Sequence, residues 1–241
     1  MRSEIFYTDR YLAIQEAAKK YLNAHEDFLS SATIESPRAV GDAIQGILSE
    51  GFQQLLGDLC AECSTDFARR AMADVAFSDT AGIYYVVDVK TYRTDTKFNM
   101  PNLTSVERLS RFYESDLNCF VVLFVSYTVV GIKVVISEVR FVPIEFLGWE
   151  CLTLGALGWG QIQIANSNVI TLKPQYSRKA WMLELCDALL EFYPKEITKI
   201  GKRIERFRNV RETWKKKHDA WAGTPIEKPT VIKTGGEGQT G

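Results

Sequence analysis

The stretch Gly82-Ile83-Tyr84-Tyr85-Val86-Val87-Asp88-Val89-Lys90 decides how the rest of the chain is read. From Ile83 to Val87 it is apolar and rich in β-branched and aromatic residues, the composition of a largely buried strand. Alternate residues of a strand point to the same side, so Asp88 and Lys90 emerge together where the strand turns polar. Upstream, Asp74-Val75-Ala76-Phe77 is a shorter strand candidate, and Ser78-Asp79-Thr80-Ala81-Gly82 carries the residues of a turn back. A hairpin of that length brings Asp74 beside Asp88. A lone Asp-x-Lys on a strand is usually an ion pair or a solvated edge. Two carboxylates at a strand end with a lysine alongside can do more: hold a divalent metal against a phosphate.

The flanks predict the layers. Residues 10–30 place Tyr11, Ile14, Ala18 and Leu22 at helical spacing. Pro37 opens a second helix, 37–58, with Val40, Ile44, Ile47, Leu48, Phe52 and Leu55 on one side. A third short helix is expected over 60–72. Strands follow at 73–78, 83–91, 118–129 and 132–142, the last two joined by a tight turn at Val130-Gly131. Residues 146–160, rich in Gly, Leu and Trp, are expected to be a loop, and Gln161 to Leu172 another strand. Helices are predicted at 178–193 and 196–220. Helices, then strands, then helices imply an α/β fold: a central mixed sheet with helices on both faces. Residues 1–72 are expected to be a helical region of the same domain as the core, 73–221. Residues 222–241 are expected to be a disordered tail.

The 241 residues are 46% hydrophobic and 24% charged, an ordinary globular balance with enough chain for a sizeable core. The net charge of −1 is unevenly spread. Residues 1–87 hold 13 acidic and 7 basic side chains; residues 195–217 hold 10 basic and 3 acidic. The five cysteines, Cys60, Cys63, Cys119, Cys151 and Cys186, are odd in number and scattered, which argues against a disulfide framework. No apolar run is long enough for a membrane span, so the expected compartment is the cytoplasm. His25 and His218 are the two histidines, too few for histidine-based nuclease or Ser-His-Asp chemistry.

Asp74, Asp88 and Lys90 match the D…(D/E)-x-K pattern of the PD-(D/E)xK nuclease superfamily. Two further stretches, Pro101-Asn102-Leu103-Thr104-Ser105 and Gly158-Trp159-Gly160-Gln161-Ile162-Gln163-Ile164, narrow the likeness. With the helical C-terminal region, the series resembles the HpaI/HincII group of type II restriction endonucleases. The resemblance runs over residues 73–218 and is strongest at 86–105 and 158–164. Ala73 stands where the pattern has proline. In the earlier helix, Gln45 stands where the superfamily commonly carries a glutamate. The resemblance implies an α/β/α sandwich around a mixed sheet, a homodimer acting on double-stranded DNA at a short palindrome, and a blunt cut leaving 5′-phosphates. Mg²⁺ would be held by Asp74, Asp88 and the backbone carbonyl of Val89. It also places the segments carrying Thr91, Arg93, Lys97, Asn102, Ser105, Trp159, Gln161 and Gln163 at the DNA.

The chemistry suits these residue types. Mg²⁺ takes oxygen ligands and keeps several waters, so two carboxylates suffice. Lys90 would orient or help deprotonate the attacking water and stabilise the phosphorane. An amide side chain both donates and accepts, so Asn102, Gln161 and Gln163 are suited to adenine. Gln161 and Gln163 share strand parity and so one face. Other features carry two readings. Cys60-x-x-Cys63 is half of a zinc or redox site, or two small residues buried on a helix. Ile197, Ile200, Ile204, Phe207 and Trp214 form a stripe that should be buried, while the surrounding Lys and Arg contact phosphate or merely water. Two other functions remain open: a repair or nicking nuclease of the same superfamily, and a DNA-binding protein that does not cut.

Overall fold

The computed structural model describes residues 3–25, 36–63, 73–95, 101–131, 133–165 and 169–217. The Asp88 stretch forms β3 (Tyr84–Arg93) in the middle of a five-stranded sheet. Its neighbours are β1 (Glu62–Cys63), β2 (Val75–Ser78), β5 (Asn118–Val130) and β6 (Lys133–Pro143), in the order β1-β2-β3-β5-β6. The sheet is mixed. β3 runs parallel to β5, from Tyr84↔Asn118 to Arg93↔Tyr127, while the other pairs are antiparallel. β5 is buried without a break from Cys119 to Tyr127, as a strand covered on both faces must be. The β5–β6 turn needs Gly131, whose φ of 63° lies in the left-handed region.

Helices lie on both faces. On one are α1 (Arg10–Asn23) and α2 (Pro37–Leu56). Ser36 caps α2 by accepting from the Ala39 N–H, and Pro37 supplies a preset first turn. The apolar side of α2, Val40, Ile44, Leu48 and Phe52, is fully buried, and Phe52 meets Phe77 with ring centroids 5.9 Å apart. Each such side chain contributes about 1.5–3 kcal/mol by leaving water. Gly41 is needed for the close approach of α2 to β3: a Cβ there would stand 2.9 Å from Thr91 Oγ1. On the opposite face lies α3 (Val106–Phe112), with Phe112 edge-on to Tyr84. A second, three-stranded antiparallel sheet has the order β4-β8-β7 and comprises β4 (Asn102–Ser105), β7 (Leu152–Gly155) and β8 (Gln161–Ile164).

The chain divides into two compact units, Met1–Tyr193 and Pro194–Gly241. A helix, α4 (Arg178–Lys216), carries Pro194 inside it. In the first unit, Trp181 and Leu185 of α4 are buried, and the Trp181 indole donates to the Leu147 carbonyl at 2.9 Å.

Several expectations need correction. The helix expected over 60–72 is absent from its described part: a 3₁₀ turn, Gly57–Leu59, leads into β1. Exposed Glu62 and half-exposed Cys63 pair with Ser78 and Phe77 as a short edge strand. Cys60 and Cys63 are therefore neither helical nor buried; they sit half-exposed beside each other, and burial pushes the Cys60 thiol up to about 11. The loop expected over 146–160 contains β7, and the strand expected from Gln161 to Leu172 ends at Ile164, with Leu172 making only an isolated bridge to Leu147. The two C-terminal helices are one, because Pro194 removes a donor without ending the helix. Ile197, Ile200, Ile204, Phe207 and Trp214, expected to be buried, are exposed. Residues 26–35, 64–72, Lys97 and the 222–241 tail lie outside the described residues. Among the described residues no helix is long and apolar enough to cross a membrane.

Candidate functional site

The site is built where the β2–β3 ladder runs out. Backbone pairing reaches Val75↔Val87, and the Asp74 N–H still donates to the Val87 carbonyl at 3.1 Å. One step further along β3, the Val89 N–H has no backbone partner on β2. The Asp74 carboxylate takes its place: Oδ2 accepts from Val89 N at 2.6 Å. The Val89 carbonyl is met by the Gln45 amide of α2, which donates to it at 3.4 Å. The hairpin thus puts Asp74 beside Asp88, and the Gln45 amide reaches the same strand end at Val89.

Asp88 and Lys90 point to the same side of β3, as their parity requires. The Lys90 ammonium lies 2.8 Å from Asp88 Oδ2 and 3.1 Å from Oδ1. Only the contact to Oδ1 has hydrogen-bond alignment, so the buried Oδ2 carries a close positive charge but no aligned donor. The side chains of Lys90 and Asp88 are 24% and 16% exposed. Burial, chiefly, pushes the Asp88 carboxyl up to about 6; Asp74 adds to the rise, while Lys90 and Arg108 oppose it. Burial also raises Asp74, against the pull of the Val89 N–H and Lys90. Two neighbouring carboxylates thus have raised values, and the Asp88 carboxylate already meets one positive charge, the Lys90 ammonium.

Arg108 is the residue that sequence reasoning missed. It sits on α3, across the sheet face from the β2–β3 hairpin, and its charge favours the ionised forms of both Asp88 and Tyr84. The available signal was local: Ser105 three residues before Arg108 is an N-cap spacing. The Ser105 Oγ indeed accepts from the Arg108 N–H at 3.1 Å. Ser105 therefore spends its acceptor on the helix that carries Arg108.

The remaining predicted residues fall into two groups. Thr91 and Arg93 continue β3, Thr91 packing under Gly41 and Arg93 pairing with Asp95 at 2.7 Å. Asn102, Gln161 and Gln163 lie on the small sheet. Gln161 and Gln163 share the half-exposed face of β8, while Ile162 and Ile164 are buried behind it. Asn102 stands opposite Gln163 in register, and the Gln163 amide donates to the Asn102 carbonyl oxygen. Trp159 is exposed in the β7–β8 turn, with the Arg111 guanidinium 5.9 Å over its ring. Gly160 closes that turn at a φ of 127°, and a Cβ there would press on Val106 at 3.1 Å. β4 and α3 are consecutive, so the small sheet and the acidic site are joined at Ser105–Arg108.

No protein-family model and no curated protein matches this chain.

Proposed function

We propose that the protein is a Mg²⁺-dependent, sequence-specific double-strand DNA endonuclease with a restriction-endonuclease-like α/β/α fold of the PD-(D/E)xK superfamily. It works as a homodimer on a short palindrome, one site per strand, and cuts bluntly. The observation that carries the reading is the meeting of Asp74, Asp88 and Lys90 at the end of the β2–β3 ladder, with Asp88 Oδ2 lacking an aligned donor. The resemblance over 86–105 and 158–164 supports it.

Asp74, Asp88 and the Val89 carbonyl would hold the ion, and the donor set fits it: all are oxygens, as a hard cation requires. A bound Mg²⁺ acidifies coordinated water and offsets charge on the phosphate. Lys90, steered by Asp88, stabilises the negative charge that builds on the phosphate oxygens. Arg108 brings a second positive charge to the same side. The amides of the small sheet contact base edges, while Arg93 and the segment around Lys97 contact the DNA backbone. A cytoplasmic enzyme of this kind meets DNA directly.

The test is digestion of a plasmid of known sequence with Mg²⁺, followed by mapping of the ends. Discrete double-strand breaks at one short palindrome are expected. Single-strand nicks alone would make it a nicking nuclease, and binding without cleavage would make the carboxylates structural; either outcome overturns the reading.

A further inference from the structure

α3 is a short helix whose place must be set by what it touches. It has seven residues, too few to be stable as a helix in isolation. Val106 and Leu109 tie it to the core. Arg108 and Phe112 stand four residues apart, hence on one face, and Phe112 lies edge-on to Tyr84 of β3. That face turns Arg108 toward the strand carrying Asp88, and its charge acts on both Tyr84 and Asp88.

The residue that ends the helix keeps that face turned. The Tyr113 hydroxyl donates to Glu145 Oε2 at 2.8 Å and accepts from the Phe120 N–H at 3.2 Å. Glu145 lies in the 3₁₀ turn Ile144–Phe146 and is 1% exposed. Its other oxygen accepts from Arg178 Nε at 2.9 Å. The Arg178 guanidinium lies 4.3 Å from the centre of the Tyr113 ring and donates to the Asn118 carbonyl at 2.8 Å. The Asn118 amide donates to the Phe112 carbonyl at 2.8 Å, a last-turn group that no intrahelical donor reaches. All of these residues belong to the first unit. A buried ion pair adds little net stability over an apolar core, and breaking one is costly. What this pair supplies is direction: β5, the 3₁₀ turn and the start of α4 converge on the residue that ends α3. We propose that Glu145 is a positioning residue, holding α3 through Tyr113 and Arg178 so that Arg108 faces the Asp88 end of β3. Glu145 touches no reacting group; it acts through Arg108.

The effect on cleavage rests on the nuclease reading above; the hold on α3 does not, so each has its own measurement. Tyr113→Phe removes the hydroxyl and keeps the ring beside Arg178. Amide hydrogen exchange of Ser110–Tyr113 in the full chain should then quicken roughly tenfold or more, while that of α1 stays as it was. Turnover should fall roughly tenfold or more, the cost of a misplaced charged group, with a smaller change in KM. In an Arg108→Ala background the same substitution should lower turnover no further, because no charge is left to misplace. Glu145→Gln should repeat both changes; if it does not fold, Tyr113→Phe decides. Ile14→Val, a loss of packing on α1 away from α3, should lower the urea midpoint and leave turnover of the folded protein unchanged. Unchanged exchange in α3 of Tyr113→Phe overturns the inference, whatever the protein does to DNA. So does an equal loss of turnover with and without Arg108, since the network would then serve the fold alone. A wild type that cuts no DNA, with exchange quickened as expected, overturns the nuclease reading and leaves Glu145 as the anchor of α3.

Discussion

The two sheets of the first unit carry polar groups in opposite ways. On the five-stranded sheet, Asp88 and Lys90 are largely covered and pair at 2.8–3.1 Å, and the Asp74 carboxylate beside them accepts from the Val89 N–H at 2.6 Å. On the small sheet, Asn102, Gln161 and Gln163 ride a half-exposed face over buried isoleucines. Groups that must act on a reacting phosphate gain from burial, because a low dielectric strengthens each charge and fixes its place. Groups that must meet a partner's base edges gain from exposure, because they have to exchange water for the partner. The first arrangement suits chemistry and the second suits recognition, and substitutions should separate them.

The largest effect belongs to the buried set. On the proposed function, Asp88→Ala should abolish cleavage while leaving DNA binding in Ca²⁺ largely intact, because the carboxylate would serve the cation and Lys90 rather than a base. Retention of a tenth of the wild-type rate would remove the site from the argument. Lys90→Ala should lower turnover by about a thousandfold with little change in affinity, the scale of losing one charge-stabilising group. Near-normal turnover with weak binding would make Lys90 a phosphate anchor.

The exposed set should fail differently. Asn102→Ala and Gln163→Ala should each cost roughly 1–3 kcal/mol of cognate affinity per lost base contact and leave random-sequence binding nearly unchanged. Because Gln163 donates to Asn102, the two losses should not add, with a coupling of about 0.5 kcal/mol or more in a double-mutant cycle. Equal loss on cognate and random DNA would turn both amides into scaffold.

Burial also sets a pH dependence. Asp88 is raised from 3.8 to about 6, so its protonated form favours folding. In the metal-free protein that contribution is complete below about pH 4 and is lost as pH rises through 6, on the order of 1–3 kcal/mol. Asp74 shifts the same way. Asp88→Asn should therefore be as stable as wild type near pH 4 and more stable near pH 7, read by urea unfolding. On the proposed function, cleavage should run the other way, falling as pH drops through 6, because it is the ionised carboxylate that would bind the cation. A wild type that gains metal-free stability over that range relative to Asp88→Asn would show that Lys90 outweighs burial.

How much of this was legible in the sequence depends on how local each cause is. The β2–β3 hairpin was legible because its cause is a short continuous apolar run plus a turn in which Asp79 Oδ1 accepts from the Ala81 and Ile83 N–H groups at 2.9 Å. The unbroken apolar run of β5 likewise announced a central strand. The small sheet was hidden: β4, β7 and β8 are short, and the glycines of 155–160 read as loop before tertiary pairing is known. Arg108 was hidden because its nearness to Asp88 is created across the sheet by the packing of α3. The α4 stripe was legible as an apolar face, but the burial expected of it was wrong: all five side chains are exposed.

The smallest effect tests the joint between the two sheets. Ser105 ends β4 and was expected at the DNA, yet its Oγ accepts from the Arg108 N–H and caps α3. Losing such a cap costs about 1 kcal/mol. Ser105→Ala should thus lower stability by that amount, seen as an earlier urea midpoint, and loosen the helix that presents Arg108. On the proposed function, a loosened Arg108 would weaken a charge near the phosphate, which carries no sequence information, so cleavage of cognate and non-cognate sites should fall by the same small factor. Ser105→Asp keeps an acceptor for the Arg108 N–H and should recover the stability. If Ser105→Ala instead erodes discrimination between sites while stability holds, the hydroxyl reads a base, and the exposed face of the small sheet extends one residue further toward the acidic site.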